Sequence, residues 1–141
     1  MASPVTREVL QRRRRKLAVD AIRMAGDLPR TRAADVIGRQ LVRSATSVAA
    51  NYRSACRARS RKDFIAKMGI VEEETDETAF WLELLAECSL APTARLAPLT
   101  REAGELLAVR IDAPAIASSS PASRVSGASR AVGARDRKSV V

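Results

Sequence analysis

Residues 60–85 read SRKDFIAKMGIVEEETDETAFWLELL, and this stretch decides the fold. Ser60 followed by Asp63 matches a capping box, and the Asp63 charge suits the positive end of a helix. Phe64, Met68, Val71, Thr75, Thr78, Leu82 and Leu85 then recur at steps of three and four, which places them on one helical face with coiled-coil-like spacing. A second stripe through Phe80, Trp81, Leu84 and Cys88 widens that face. This helix is therefore expected to meet more than one neighbour, a second subunit among them.

On the N-terminal side, Thr31 caps a helix whose apolar positions are Ile37, Leu41, Ala45, Val48, Tyr52 and Ala55, expected to run to about Ala58. Gly38, Ser44, Ala45, Ser47, Ala49 and Ala50 crowd it with small side chains that admit a close neighbour. Earlier still, Ser3, Pro4 and Thr6 open a helix carrying Leu10, Leu17, Ala21, Met24 and Leu28, closed by Pro29. Beyond Pro92, a fourth helix carries Leu96, Leu99, Ala103, Leu106 and Leu107 and is expected to end near Asp112, with Pro98 tolerated only in its first turn. Four helices over residues 1–112 make one all-α domain, an antiparallel four-helix bundle. Residues 113–141 are Ala, Ser, Gly and Arg without periodicity and are expected to be a disordered tail. The last six residues resemble an accidental translation of a sequencing adaptor and are set aside.

The composition agrees with helices: 46% hydrophobic and 3% aromatic in 141 residues, with a net charge of +9. No apolar run reaches the roughly 18 residues of a spanning helix and no secretory signal opens the chain, so a cytoplasmic protein with no membrane role is expected. Cys56 and Cys88 are then expected to be buried free thiols.

Charge is segregated. Residues 1–62 hold sixteen Lys and Arg against four acids, whereas residues 63–112 hold four against eleven. Arg12, Arg13, Arg14, Arg15 and Lys16 are consecutive and sweep most of a helix circumference, so some must face solvent. With Arg57, Arg59, Arg61 and Lys62 they read as a contact surface for the phosphate backbone of RNA or DNA. Against this stands the plainer reading of a solvated helix end. Aromatic residues that would stack on bases are too few for sequence-specific readout of single strands.

Catalysis finds no apparatus in the chain. It has no histidine, no Cys-x-x-Cys pair and no glycine-rich phosphate loop, so a non-enzyme without cofactor is expected. Glu72, Glu73, Glu74, Asp76 and Glu77 suggest a carboxylate metal site, but such bundles need Glu-x-x-His pairs, and none is available.

Residues 40–85, QLVRSATSVAANYRSACRARSRKDFIAKMGIVEEETDETAFWLELL, closely resemble the four-helix proteins grouped with the 23S rRNA intervening-sequence proteins. DLPRTRAADVIG at 27–38 and LAPLTREAGELLA at 96–108 are similar to that family too, and the first helix matches least. The resemblance covers residues 6–112. It implies an up-down-up-down bundle that assembles as a homopentamer, with relatives that bind nucleic acid and a reverse transcriptase as accessory proteins of diversity-generating retroelements. Its signature falls on Gln40, Arg43, Ser44, Ser47, Asn51 and Arg53, then on Phe64, Glu73, Glu74, Glu77, Trp81 and Leu84. Arg43 and Asn51 are expected to be satisfied by carboxylates of the third helix, with Arg43 paired to Glu73 or Glu77. Two functional classes remain: a scaffold with nucleic-acid affinity, and a module that binds protein alone.

Overall fold

Three hydroxyls start three of the four helices. The Thr6 side chain accepts from the Val9 N–H (3.3 Å), Thr31 from Ala34 (3.2 Å) and Ser60 from Asp63 (3.0 Å), each occupying a donor that the first helical turn leaves unpaired. They open α1 (Arg7–Gly26), α2 (Arg32–Ala55) and α3 (Arg61–Glu87); α4 (Thr93–Ala108) follows Pro92 without a side-chain cap. The computed structural model describes residues 4–109, and no strand occurs among them. Ser3, Asp112 and the expected tail lie outside the described residues.

The helix ends differ from expectation in two places. α2 stops at Ala55 rather than Ala58, because the N–H groups of Arg57 and Ala58 turn back three residues to the carbonyls of Ser54 and Ala55. Pro98 falls in the second turn of α4, not the first. It leaves the Ala94 carbonyl without a helical donor, a loss that its exposed side of the helix passes to water. α3 ends in a Schellman motif: Ser89 takes a φ of 53°, its N–H bonds to Ala86 and that of Leu90 bonds to Leu85.

Each helix packs on its neighbours in sequence, and α1 meets α4, which is the contact pattern an up-down-up-down bundle produces. The α2–α3 seam is the most extensive and the α1–α4 seam the thinnest. All seven positions of the α3 stripe, Phe64 through Leu85, are buried, and Leu10, Leu17, Leu41, Val48, Tyr52, Leu96 and Leu106 complete the centre of the core. Gly38 explains the tight α1–α2 approach, since a Cβ there would stand 3.1 Å from the Leu28 side chain. The Ser and Thr hydroxyls inside the core are paired: Thr78 donates to Ser44 (3.0 Å), Ser44 to the Leu41 carbonyl (3.2 Å) and Thr75 to the Val71 carbonyl (2.6 Å).

The second α3 stripe remains at the surface. Phe80 is exposed, Trp81 and Leu84 are half-buried, and Phe80 meets the Trp81 ring edge-on at 5.0 Å. The expectation of two buried thiols also fails. Cys88 is exposed because it caps the end of α3, past the last buried turn, and Cys56 is half-buried.

Candidate functional site

The five consecutive cations of α1 separate by direction. Leu10, Arg14, Leu17 and Ala21 stand at steps of four, three and four, so Arg14 lies on the core stripe. The structure accordingly takes Arg14 out of the expected phosphate-contact surface: it is only 2% exposed, and its guanidinium carbon lies 4.1 Å from the centroid of the Tyr52 ring. Arg14 Nε and Nη1 have no hydrogen-bond partner, and burial pulls the guanidinium pKa down. Arg13 is committed elsewhere. Its Nε and Nη2 grip both oxygens of Glu102 (2.7 and 2.9 Å), Nη2 also reaches Glu105 (2.7 Å), and these bonds raise its pKa. Lys16 pairs with Asp20 one turn on. Arg12 and Arg15 face solvent.

Arg15 belongs to a groove between α1 and α2. The groove encloses about 720 Å³ and is lined by Arg7, Gln11, Arg15 and Ala18 from one side and by Thr46, Ala49, Ala50, Arg53, Cys56 and Arg57 from the other. Four arginines and no carboxylate line it. The small residues follow from helical spacing: Ala18 of α1 and Ala49 and Ala50 of α2 keep the floor low, while arginines one or two turns away rise at the rim. Arg53 and Arg57 also line a shallower hollow with Arg59 and Lys67, which carries the basic surface round the α2–α3 turn. The one acid there, Asp63, is occupied by Lys67 (2.9 Å) and by the Arg59 N–H (3.3 Å), and its pKa is lowered by those bonds.

Of the residues named from sequence for nucleic-acid contact, the structure thus brings Arg15, Arg57 and Arg59 to this surface. Arg12, Arg61 and Lys62 are exposed outside both hollows. Arg7 and Lys67 were missed, and Arg53 had been read as signature only. Arg7, Gln11 and Arg15 are four residues apart on α1, and Arg57 lies four residues after Arg53, in the turn just past the end of α2, so a face-by-face reading finds them.

The family signature proves to be a fastening. Arg43 Nε donates to Gln40 (2.9 Å), and its terminal nitrogens bond to Glu74 (3.2 and 3.3 Å) and Glu77. Trp81 Nε1 donates to the same Glu77 (3.1 Å), whose pKa Arg43 holds down. Gln40, Arg43, Glu74, Glu77 and Trp81 therefore form one run of hydrogen bonds across the α2–α3 seam. The expected Arg43–Glu77 pair is present, and Glu74 fills the place proposed for Glu73, which is exposed on the next face round. Asn51 departs from expectation, since its amide donates within α2 to the Ser47 carbonyl (2.9 Å) and hydroxyl (3.1 Å) and not to α3. Phe64 is a core residue.

Among the described residues, no three His, Cys, Asp or Glu side chains gather as a metal would require, and no helix is long and apolar enough to cross a membrane. Four helices whose charged residues close their seams and line an arginine groove make this a small all-α bundle protein. The family is shown by sequence: residues 8–110 match that of the 23S rRNA-intervening sequence proteins, and the chain belongs to it. It is also similar to a crystal structure from Bacteroides thetaiotaomicron VPI-5482, of a protein of unknown function from the S23 ribosomal protein family. That likeness has a TM-score of 0.67 and 30% identity over 72% of this chain and 91% of the other. No curated protein matches the chain.

Proposed function

We propose that the protein is a non-catalytic, cytoplasmic, homo-oligomeric scaffold that holds RNA or DNA by its phosphate backbone along the α1–α2 groove. The observation that carries this reading is the groove lining of Arg7, Arg15, Arg53 and Arg57 with no acid among them. Guanidinium groups pair with phosphates in bidentate fashion, and four of them with no carboxylate in the lining set up an anion-attracting field. The family's description, which refers to 23S rRNA, supports RNA as the first nucleic acid to try.

Self-association rests on α3. Ile70 and Phe80 are exposed and Trp81 and Leu84 half-buried on its outer side, with Glu73, Asp76 and Glu83 exposed among them. Such a surface suits a basic, partly apolar partner, and α1 and α2 of a second copy offer Val19, Ile22 and Val36 beside Arg23 and Arg39. The family likeness makes five copies the number to test. A protein partner such as a reverse transcriptase would use whatever part of this surface the assembly leaves free.

The test is fluorescence anisotropy of labelled RNA and DNA across a salt series, with light-scattering mass on the same samples. Binding should weaken steeply with salt, and Arg53→Ala and Arg57→Ala should each lower the logarithmic salt slope by about one. A pentameric mass is expected, and Phe80→Asp should reduce it. Binding that ignores salt and both arginine substitutions would refute the groove and favour a module for protein alone.

A further inference from the structure

Arg14 is a full positive charge buried inside the bundle. Arginine does not shed its proton in proteins, so burial cannot neutralise it. The Tyr52 ring supplies a cation–π contact at 4.1 Å, which recovers only part of what dehydrating a guanidinium costs. Among the described residues Arg14 forms no ion pair; Glu102, the carboxylate whose charge it senses, is gripped by Arg13. Arg14 Nε, Arg14 Nη1 and the Tyr52 hydroxyl are all buried without hydrogen-bond partners. Three orphaned donors at one place is an arrangement that asks for an acceptor.

The position of the cluster says where that acceptor enters. Tyr52 lies one helical turn before Cys56, and Arg14 lies one turn from both Gln11 and Ala18; Cys56, Gln11 and Ala18 line the α1–α2 groove, so buried Arg14 and Tyr52 sit beneath the Cys56 end of its floor. Arg7 donates to the Cys56 carbonyl at 3.3 Å from the other side. A group at this end of the groove meets Arg7, Arg53 and Arg57 in its lining, with the donors of Arg14 and Tyr52 buried behind them.

We propose that this end of the groove is a subsite for a phosphate monoester, with Arg14 as its buried cation and Tyr52 as a neutral donor. The proposal rests on the nucleic-acid reading above and narrows it to the end of a strand. A monoester carries nearly two negative charges and projects from a single ester link, so its free oxygens reach inward. An internal diester carries one charge and is flanked by sugars on both sides, which holds it at the rim with Arg15, Arg53 and Arg57. The same chemistry is offered by a strand terminus and by free phosphate, and the two are separable by experiment.

The full-length protein is titrated with a short single-stranded RNA bearing a 5′-phosphate and with the same RNA bearing a 5′-hydroxyl. In parallel, thermal unfolding is followed with inorganic phosphate against chloride at equal ionic strength. The phosphorylated strand should bind roughly tenfold more tightly, the size of one charge-assisted hydrogen bond. Arg14→Met should erase that preference while leaving salt-sensitive binding of both strands, which a merely structural Arg14 would not do. Should that variant fail to fold by circular dichroism, Tyr52→Phe gives the second reading and should reduce the preference. Equal binding of the two strands to the native protein overturns the subsite and leaves the groove function intact. Stabilisation by inorganic phosphate with no binding of either strand keeps the subsite, assigns it to free phosphate and overturns the nucleic-acid reading. Neither response overturns both.

Discussion

Alkaline titration measures how dry the centre of the bundle is, because Tyr52 is the only tyrosine in the chain and has no solvent exposure. Opposed effects meet there: a phenolate would lose its water on burial and would face the neighbouring Cys56, both of which raise the pKa, while the Arg14 guanidinium over the ring would welcome the negative charge and lower it. Burial is the largest, and the phenol is pushed up from 10.0 to about 12. The folded protein thus holds its proton after the unfolded chain has lost it. Stability from this group is fully present below pH 10.0 and is lost as the pH rises through about 12. A difference of about two pH units, at roughly 1.4 kcal/mol for each, amounts to about 3 kcal/mol. The assay pairs phenolate absorbance, in native and urea-unfolded protein, with urea unfolding followed by helical circular dichroism at neutral pH and near the folded midpoint. The contribution of Tyr52 is read as the difference between the native protein and Tyr52→Phe, which cancels what the two share. A native absorbance midpoint near 10.0 with the helical signal unchanged would refute the reasoning, for it would mean that water or Arg14 reaches the hydroxyl as easily as in the open chain.

Leu82→Ala removes a side chain with no exposure at the α2–α3 seam and should cost about 2–5 kcal/mol in urea unfolding. Ser89→Gly should stabilise by about 1 kcal/mol, since Ser89 holds a φ of 53° that glycine adopts without a Cβ penalty, and thermal unfolding will report it. Glu77 has a folded pKa below its usual 4.5, chiefly because Arg43 donates to it, so its contribution is present above pH 4.5 and disappears as the pH falls through the lower folded value. Glu77→Gln should flatten acid unfolding in that window, and the emission of Trp81, which donates to the same carboxylate, will follow it.

Periodicity makes most of the fold legible in the sequence. The α3 stripe from Phe64 to Leu85 is recoverable because all seven residues repeat at helical spacing and all seven are buried. Arg14 shows the opposite case: its place between Leu10 and Leu17 is on the core stripe, but four neighbouring cations draw the eye to charge rather than to phase. The partners of Arg13 lie 89 and 92 residues away on α4, and no local pattern announces such a pairing. The groove needs the register of α1 against α2, which composition does not contain, although each wall taken alone has its arginines at the right spacing. Glu74 rather than Glu73 takes Arg43 because one position rotates a side chain by about 100° round a helix, enough to move it from the seam to open solvent.

The thin α1–α4 seam gives the molecule a preferred place to come apart. Where α2 and α3 share buried leucines and paired hydroxyls, α1 and α4 are latched at the surface by Arg13 with Glu102 and Glu105 near one end, and by Asp27 with Arg95 (2.7 Å) near the other. Screening ions weaken such latches and leave buried leucines untouched. The four-helix bundle is therefore a folded strip whose two edges, α1 and α4, are closed by two clasps, and salt that loosens the clasps weakens that edge first while Leu96, Leu99 and Leu106 keep α4 docked in the core. Hydrogen exchange should then be fastest along α4 and should quicken with ionic strength there before it does anywhere else.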